Sequence, residues 1–340
     1  MSVSYLLNLK KKMIIRHFKF IILFSIGILT FYWVYSTFSG KDSLIYINEN
    51  RPLLVLLLLA HLPTLFFDSW SWKILITTKK LTLWWCVIIT WISQTASKIM
   101  PTGVLTGEFV RIYLGKKKGV STSQISATVI GDLLLATLSL MILGLMSVVI
   151  FFFYYDGFEQ KFFDLRFVFF GVFCIFIGSI FFSFGIRYRL IKVFLKRTLF
   201  TKQFICPKSL INSLLKIDFV LYNLSYKLRI LLLGLVIRLF GWFGGAIEIL
   251  IFFWIIDIDI SILDAVLIEV FTALMRSIVF FIPAGVGVQE LSFVLVGNFI
   301  GLSNPISFSV ALGRRIREIM IGIPAIITWW IIFEKKTKYQ

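Results

Sequence analysis

Arginine and carboxylate side chains recur inside the apolar runs of this chain, where a charge needs a reason. On membrane-insertion scales such a side chain costs about 2.5–3.5 kcal/mol at mid-span, so each implies a partner or a function. The charges in question are Arg111, Arg238, Arg276, Arg314, Arg315 and Arg317, with Glu108, Asp132, Glu248, Glu290 and Glu318. Neutralisation of one charge by another is the structural interpretation. The excess of arginine also suits phosphate, because a planar guanidinium donates two hydrogen bonds at once.

A motif with proline and glycine occurs twice and would place a helix break in each half of the chain. Residues 101–108 read PTGVLTGE and residues 283–290 read PAGVGVQE. The register continues without a gap, pairing Gly115 with Gly297, Gly119 with Gly301, Ser121 with Ser303, Gly131 with Gly313 and Asp132 with Arg314. Breaks at matching positions of two halves point to the binding site of a membrane transporter.

The helix that follows each break offers a second way to hold an anion. Its free N–H groups and positive dipole end would face the middle of the membrane. Gly103 and Gly285 would let the backbone approach a ligand closely. Glu108 and Glu290 occupy the first turns of these helices. They either complement the helix dipole or couple transport to a proton or cation, because a carboxylate in low dielectric can titrate.

Composition assigns the chain to the membrane. It is 59% hydrophobic and 15% charged, whereas a soluble chain carries about a quarter charged residues. The net charge of +18 comes from basic clusters in short loops, which is the positive-inside pattern. We therefore predict no nucleic-acid partner. Three scattered cysteines, and two histidines (His17 and His61) that form no ligand pair, predict no metal site, and no cofactor is predicted.

The pattern of apolar runs predicts an all-α integral membrane protein. Six spans are expected at about 18–38, 52–72, 123–154, 167–186, 228–256 and 305–333, and two broken segments at 81–114 and 265–300. Lysines flank the segment 81–114 on both sides, so we expect it to enter and leave on the cytoplasmic face as a re-entrant helical hairpin. The acidic loop 257–264 predicts that the second hairpin enters from the outer face.

This topology divides the chain into two repeats, 1–154 and 155–340. Each holds three crossings, and an odd number inverts the second repeat relative to the first. Both termini are then cytoplasmic in a multi-pass protein of the cell membrane. The basic linker and amphipathic helix at 187–227 are expected on the cytoplasmic surface, where leucines such as Leu210 and Leu221 and Ile217 would face the lipid. The sequence does not predict an oligomeric state.

One helical face of the fifth span combines small and charged residues. Arg238, Gly241, Gly245 and Glu248 share that face, so the glycines admit a neighbouring backbone beside the two charges. The residues predicted to bind a substrate are Pro101, Gly103, Glu108, Arg111, Asp132, Arg238, Glu248, Arg276, Pro283, Gly285, Gly287, Glu290, Arg314, Arg315 and Glu318. Among these we expect Arg111, Arg276 and Arg314 to contact phosphate. No catalytic residue is predicted.

Both motifs resemble those of one known family. Residues 98–111, KIMPTGVLTGEFVR, followed by GVS at 119–121, are similar to the first motif of the lysylphosphatidylglycerol synthase transmembrane-region family of flippase-like proteins. Residues 282–290, IPAGVGVQE, with Gly301 and the arginines at 314 and 315, are similar to the second. The resemblance implies a membrane region that moves a modified lipid between leaflets. Full-length synthases also carry a soluble aminoacyl-transfer domain; this sequence ends at Gln340, so we expect no aminoacyl transferase activity.

These observations favour a lipid translocator that passes a phosphate-bearing headgroup between hairpin tips. Its partner would be a phospholipid, an aminoacylated phospholipid or a polyprenyl-phosphate lipid. One alternative is a glycosyl- or headgroup transferase that holds a metal at the D-x-D pattern of Asp257 and Asp259. Another is a non-transporting partner of a separate lipid-modifying enzyme. No P-loop motif is present, so the sequence predicts no nucleotide-driven motor.

Overall fold

The structure of the protein is a computed structural model that describes residues 22, 24–38, 40–99, 104–154, 158–200, 207–279, 282 and 285–335. Within these ranges every regular element is a helix and none is a strand, which confirms the all-α class. Pro101, Gly103 and Pro283, at the tips of the two broken segments, lie outside the described residues.

Fourteen α-helices follow one another along the described chain. They are α1 (24–37), α2 (Gly40–Glu49), α3 (Leu56–Ala60), α4 (Leu62–Leu75), α5 (Leu83–Ile99), α6 (Val104–Lys117), α7 (Thr122–Tyr154), α8 (Phe158–Arg187), α9 (Leu190–Phe200), α10 (Lys208–Ser225), α11 (Leu228–Ile255), α12 (Ile262–Ile278), α13 (Val288–Phe299) and α14 (Asn304–Trp329). A short 3₁₀-helix (Arg51–Val55) precedes α3, and a π-helical turn (Trp330–Glu334) extends α14.

Four helical segments are long and apolar enough to cross a bilayer. They are Pro52–Leu75, Thr122–Ile150, Leu228–Ile255 and Asn304–Glu334, which coincide with the second, third, fifth and sixth predicted spans. A fifth candidate consists of Phe173–Arg187 and Leu190–Arg197, which meet at a bend of 72°. Only 22–39% of each of the four apolar windows is buried, so most of their apolar surface faces outward. The protein is thus built as a multi-pass membrane protein.

Each broken segment forms a pair of helices that pack against each other. In the first pair, the Ser93 hydroxyl of α5 donates to the Gly107 carbonyl of α6 over 2.8 Å. A Cβ on Gly107 would lie 2.8 Å from the Ser93 carbonyl oxygen, so only glycine allows this approach. In the second pair, Arg276 of α12 donates to the Gln289 side chain of α13 over 3.2 Å.

The repeated residues end these pairs with the same local geometry. Gly119 and Gly301 follow α6 and α13 and have φ values of +83° and +91°, which favour glycine. Each donates its amide to the carbonyl three residues earlier, over 2.9 and 3.2 Å. Four residues before each, Gly115 and Gly297 touch the following helix so closely that a Cβ would overlap its side chains. The sequence repeat is therefore also a repeat of local structure.

Helices α4 and α11 approach closely, and this contact brings charges into the interior. A Cβ on Gly244 would lie 2.9 Å from the Thr64 amide nitrogen, and one on Gly241 would lie 3.0 Å from Asp68 Oδ1. On the other side, α11 packs into a buried apolar core with α7, α12 and α14, in which Phe253, Ala265 and Ala311 are nearly inaccessible. The small residues of α11 therefore bring α4 against it without displacing this core.

Helix α10 packs onto the protein through one face. Ile211, Leu221 and Leu224 are buried, so Leu221 packs inside the protein and does not face the lipid as we expected, whereas Leu210 is 50% exposed. Asp218 is also buried and accepts from Arg189 Nε over 2.7 Å. Arg189 sits at the bend between α8 and α9 with φ +54°. This ion pair ties the bend to α10.

Candidate functional site: a charged cavity between five helices

A cavity of about 190 Å³ lies between α4, α5, α11, α12 and α14. We call it the charged cavity. Its lining consists of His61, Thr64, Asp68, Gln94, Ser97, Lys98, Arg238, Gly241, Trp242, Gly245, Glu248, Glu269, Arg276, Arg314 and Arg317. The lining thus holds five lysine and arginine side chains against three carboxylates, so it carries excess positive charge. All four residues predicted to share one face of α11 are among them.

Glu248 is the centre of the largest ion-pair cluster on the cavity wall. Its Oε1 accepts from Arg317 Nε over 3.0 Å and from Arg317 Nη2 over 2.7 Å, and its Oε2 lies 3.2 Å from His61 Nδ1. Arg314 bridges this carboxylate, at 3.5 Å, to Glu269, at 2.5 Å. Glu248, Arg314 and Arg317 are each at most 5% exposed. With little water to solvate them, each charge is stabilised by its ion-pair partners.

A second cluster surrounds Asp132 and includes two residues of the cavity lining, Arg238 and Asp68. Arg111 Nη1 is 2.8 Å from Asp132 Oδ2, and the same nitrogen is 3.4 Å from Glu108. Arg238 lies 3.7 Å from Asp132 and 3.1 Å from Asp68. It therefore connects Asp132 to Asp68 on the cavity wall. Asp132 is fully buried, so it serves to hold α6, α7 and α11 together.

Arg315 fixes the start of α13 from outside the cavity. It lies 2.6 Å from Glu290 and 3.1 Å from Glu318, and it donates to the Gly285 carbonyl over 3.1 Å. Glu290 in turn accepts from the Gly287 amide over 2.7 Å, as a carboxylate at a helix start does. Of its two predicted roles, helix-end stabilisation therefore matches the contacts of Glu290.

Arg276 differs from the other five arginines because no carboxylate pairs with it among the described residues. Its hydrogen bond goes to the neutral side chain of Gln289. Arg276 occupies the last turn of α12, and Lys98 occupies the last turn of α5, so both cations lie beside the tip of a broken segment. Lys98 is bound to Glu318 over 2.8 Å. Of these two cations, Arg276 is therefore the one that can donate to a bound anion.

Residues 18–325 match the family model described as the lysylphosphatidylglycerol synthase TM region. The chain belongs to this family. No curated protein and no solved structure matches it. Membership in the lysylphosphatidylglycerol synthase TM family links the protein to membrane lipids, and it confirms the resemblance of the two motifs.

Four of the predicted substrate-binding residues of this family member line the charged cavity: Arg238, Glu248, Arg276 and Arg314. Eight others do not line it and lie in or near the clusters around it: Glu108, Arg111, Asp132, Gly285, Gly287, Glu290, Arg315 and Glu318. The remaining three, Pro101, Gly103 and Pro283, lie outside the described residues. Substrate contact stays a prediction for all of them.

The charged cavity also contains ionisable residues that sequence reasoning missed. Asp68, Lys98 and Glu269 line it, and His61, which we had considered only as a metal ligand, contacts Glu248. Asp68 and Glu269 each interrupt an apolar run, so the cost of a buried charge was the signal that should have identified them. Lys98 stands at a helix end and gave no comparable signal.

In this lysylphosphatidylglycerol synthase TM protein, no third metal-ligating side chain is grouped with the D-x-D pattern among the described residues. Among the described residues, no group of three or more histidine, cysteine, aspartate or glutamate side chains is placed to hold a metal ion. Asp264, which we counted with the acidic loop, instead caps α12, because its amide and carboxylate both bind Ser261.

Proposed function

We propose that the protein moves a phosphate-bearing lipid headgroup between the leaflets of the cytoplasmic membrane through the charged cavity. The observation that carries the proposal is Arg276, an arginine without a carboxylate partner among the described residues, on the wall of a cavity with excess positive charge. A guanidinium in that position favours an anion, and its planar fork suits phosphate.

The neutral polar residues of the cavity fit the same kind of ligand. Gln94 and Ser97 line it beside Lys98, and the hydroxyl of Thr64 has no hydrogen-bond partner among the described residues. A buried hydroxyl without a partner costs free energy, and a headgroup oxygen or a water would satisfy it. Charged and neutral donors would therefore surround a polar ligand.

The size of the cavity favours a headgroup and leaves no room for a lipid with its chains. Its volume of about 190 Å³ is close to the roughly 150 Å³ of an engineered cavity that holds benzene, which is a headgroup-sized molecule. The acyl chains would accordingly stay in the bilayer while the headgroup passes through the protein. The link between the lysylphosphatidylglycerol synthase TM family and membrane lipids supports a lipid ligand over a soluble anion.

The architecture that we propose for this transport is an inverted repeat of six spans with two re-entrant hairpins. Helices α5–α6 and α12–α13 would be the hairpins, opened to opposite faces of the membrane. Their inner ends place Lys98 and Arg276 on the wall of one cavity. In transporters with broken helices, rocking of one repeat against the other exposes such a site to each side in turn.

Reconstitution into liposomes tests the proposal. Fluorescent phosphatidylglycerol, an aminoacylated phosphatidylglycerol and a polyprenyl phosphate are each incorporated, and loss of outer-leaflet label measures leaflet exchange. We expect exchange above empty liposomes for at least one lipid, and a fall of about tenfold or more in Arg276→Gln, since a hydrogen bond to a charged group contributes about 1.5–3 kcal/mol.

Arg229→Gln is the matched control, because Arg229 is exposed near the start of α11 and does not line the cavity. It should exchange lipid as the unmodified protein does. Exchange no faster than in empty liposomes for every lipid tested would refute translocation. Equal exchange by Arg276→Gln and Arg229→Gln would refute the role of the charged cavity.

A further inference from the structure

A second cavity, entirely separate from the charged one, lies on the side of the protein between α7, α8, α10 and α11. Its volume is about 360 Å³, and nine of its fifteen lining residues are leucines. We call it the leucine groove. None of its lining residues lines the charged cavity. The groove is larger than the engineered apolar cavity of about 150 Å³ that holds benzene, so it can hold part of a hydrocarbon chain.

Arg187 is the single ionisable side chain in the lining of the leucine groove. It is exposed at the end of α8 and stacks on the Tyr226 ring, 5.0 Å from the ring centroid, and no carboxylate pairs with it among the described residues. The other polar lining residues, Ser183 and Ser225, donate to carbonyls of their own helices. One end of the groove therefore offers a cation, and its walls offer only hydrocarbon.

The position of Arg187 is fixed by its neighbours. Two residues later the chain bends at Arg189, which binds the buried Asp218 of α10 over 2.7 Å. Arg189 also lies over the rings of Phe219 and Tyr222 at 5.5 and 5.3 Å. Because α10 supplies Leu221 and Leu224 to the groove wall, the same contacts hold the wall and the cation together.

We infer that the leucine groove binds an anionic diacyl phospholipid, with an acyl chain along the leucines and the phosphate at Arg187. The apolar walls and the cation at one end complement the two parts of such a lipid. The basic residues that follow Arg187 predict that this end faces the cytoplasm, where anionic headgroups are concentrated. The lipid would stay bound as a component of the protein and would not be the transported molecule.

Native mass spectrometry of the purified protein tests the inference. The protein is incubated with equal amounts of phosphatidylglycerol and phosphatidylcholine that carry the same acyl chains. We expect it to retain phosphatidylglycerol preferentially. Leu138→Trp, which fills the groove from α7, should retain severalfold less of both lipids. Leu133→Trp is the control on the same helix, because Leu133 is 40% exposed and does not line the groove.

Arg187→Gln separates the headgroup from the acyl chain. This variant should still retain lipid, but its preference for phosphatidylglycerol should fall by about fivefold, the contribution of one exposed ion pair. Arg229→Gln should keep the full preference for phosphatidylglycerol, since Arg229 is exposed and does not line the groove. Leu138→Trp should still exchange lipid in the liposome assay, because Leu138 does not line the charged cavity. A failure of the groove and a failure of the proposed transport therefore give different results.

Two results would overturn the inference. The first is equal lipid retention by Leu138→Trp and Leu133→Trp, which would show that lipid binds elsewhere. The second is a change from dimer to monomer in Leu138→Trp without loss of lipid. In that case a second copy of the chain, and not a phospholipid, covers the leucine groove.

Discussion

Arg276 and Arg317 line the same cavity, yet their removal should lower stability to very different extents. Arg317→Met leaves Glu248 buried without its principal partner, and breaking a buried ion pair in this way costs about 3 kcal/mol or more. Arg276→Met removes a cation that pairs with no described carboxylate and loses about 1.5 kcal/mol for one hydrogen bond from a charged group to a neutral one. Melting curves in detergent should therefore show a large decrease for Arg317→Met and a small one for Arg276→Met.

Lys192→Met provides the baseline for this comparison, since Lys192 lies on α9 and outside the charged cavity. Equal decreases for Arg276→Met and Arg317→Met would mean that both arginines serve the fold. That result would contradict a structural role for Arg317 that is distinct from a ligand-binding role for Arg276.

At the residue scale, the sequence predicted many of the charges that lie in the interior, but it missed Asp68 and Glu269, and it did not predict how the charges pair. The partners of Glu248 come from His61, 187 positions earlier, and from Arg317, 69 positions later. Pairing over such separations depends on which helices touch, and apolar periodicity does not determine that. The repeat register pairs Asp132 with Arg314, whereas their ion-pair partners are Arg111 and Glu269. Two residues at equivalent positions of the repeat therefore need not form an ion pair with each other.

Among the elements, glycines at the repeat ends are required for their backbone conformation. Gly301 has φ +91° and no atom within 4 Å of the place where a Cβ would stand. Gly301→Ala should therefore cost about 1–2 kcal/mol through backbone strain alone. Gly178 also has nothing within 4 Å but lies inside α8. Gly178→Ala should be neutral or stabilise by up to about 1 kcal/mol, because alanine favours helix.

Thermal or denaturant unfolding in detergent compares the two alanine variants directly. The two variants add the same methyl group at positions with the same free space. A difference in their free energies of unfolding therefore reports the effect of backbone conformation. A Gly301→Ala protein as stable as Gly178→Ala would contradict the required left-handed conformation.

Helix boundaries were predictable where proline and glycine interrupt the apolar pattern. The first broken segment was expected to begin at 81, and its first helix is Leu83–Ile99. The start of α12 was expected at 265 and lies at Ile262, because the S-x-x-D motif of Ser261 and Asp264 forms a capping box. The motif was visible in the sequence. Helix α9, by contrast, lies in a basic stretch with no clear break, and it was missed as a helix.

At the scale of the whole molecule, contacts within the protein do not determine which side of the membrane each segment faces. The two repeat ends share glycine conformation, hydrogen bonds and helix contacts, and all of these are unchanged if one copy is turned over in the membrane. Inversion was predicted from lysines at 116–118 and from the acidic loop at 257–264. Only a measurement from each side of the membrane separates a parallel from an inverted repeat.

Ser121 and Ser303 provide a matched pair for that measurement. They are equivalent in the repeat, both are exposed, and each precedes a long helix, α7 or α14. In a background with Cys86, Cys174 and Cys206 replaced by alanine, Ser121→Cys should react with a membrane-impermeant maleimide in inside-out vesicles, and Ser303→Cys in intact cells. Each substitution changes a residue at a helix start at a cost of about 1 kcal/mol, which a folded protein tolerates. Because the positions share local structure, reactivity differences would report the accessible side. Labelling of both from one side would exclude the inverted repeat and, with it, alternating exposure of the charged cavity by opposed hairpins.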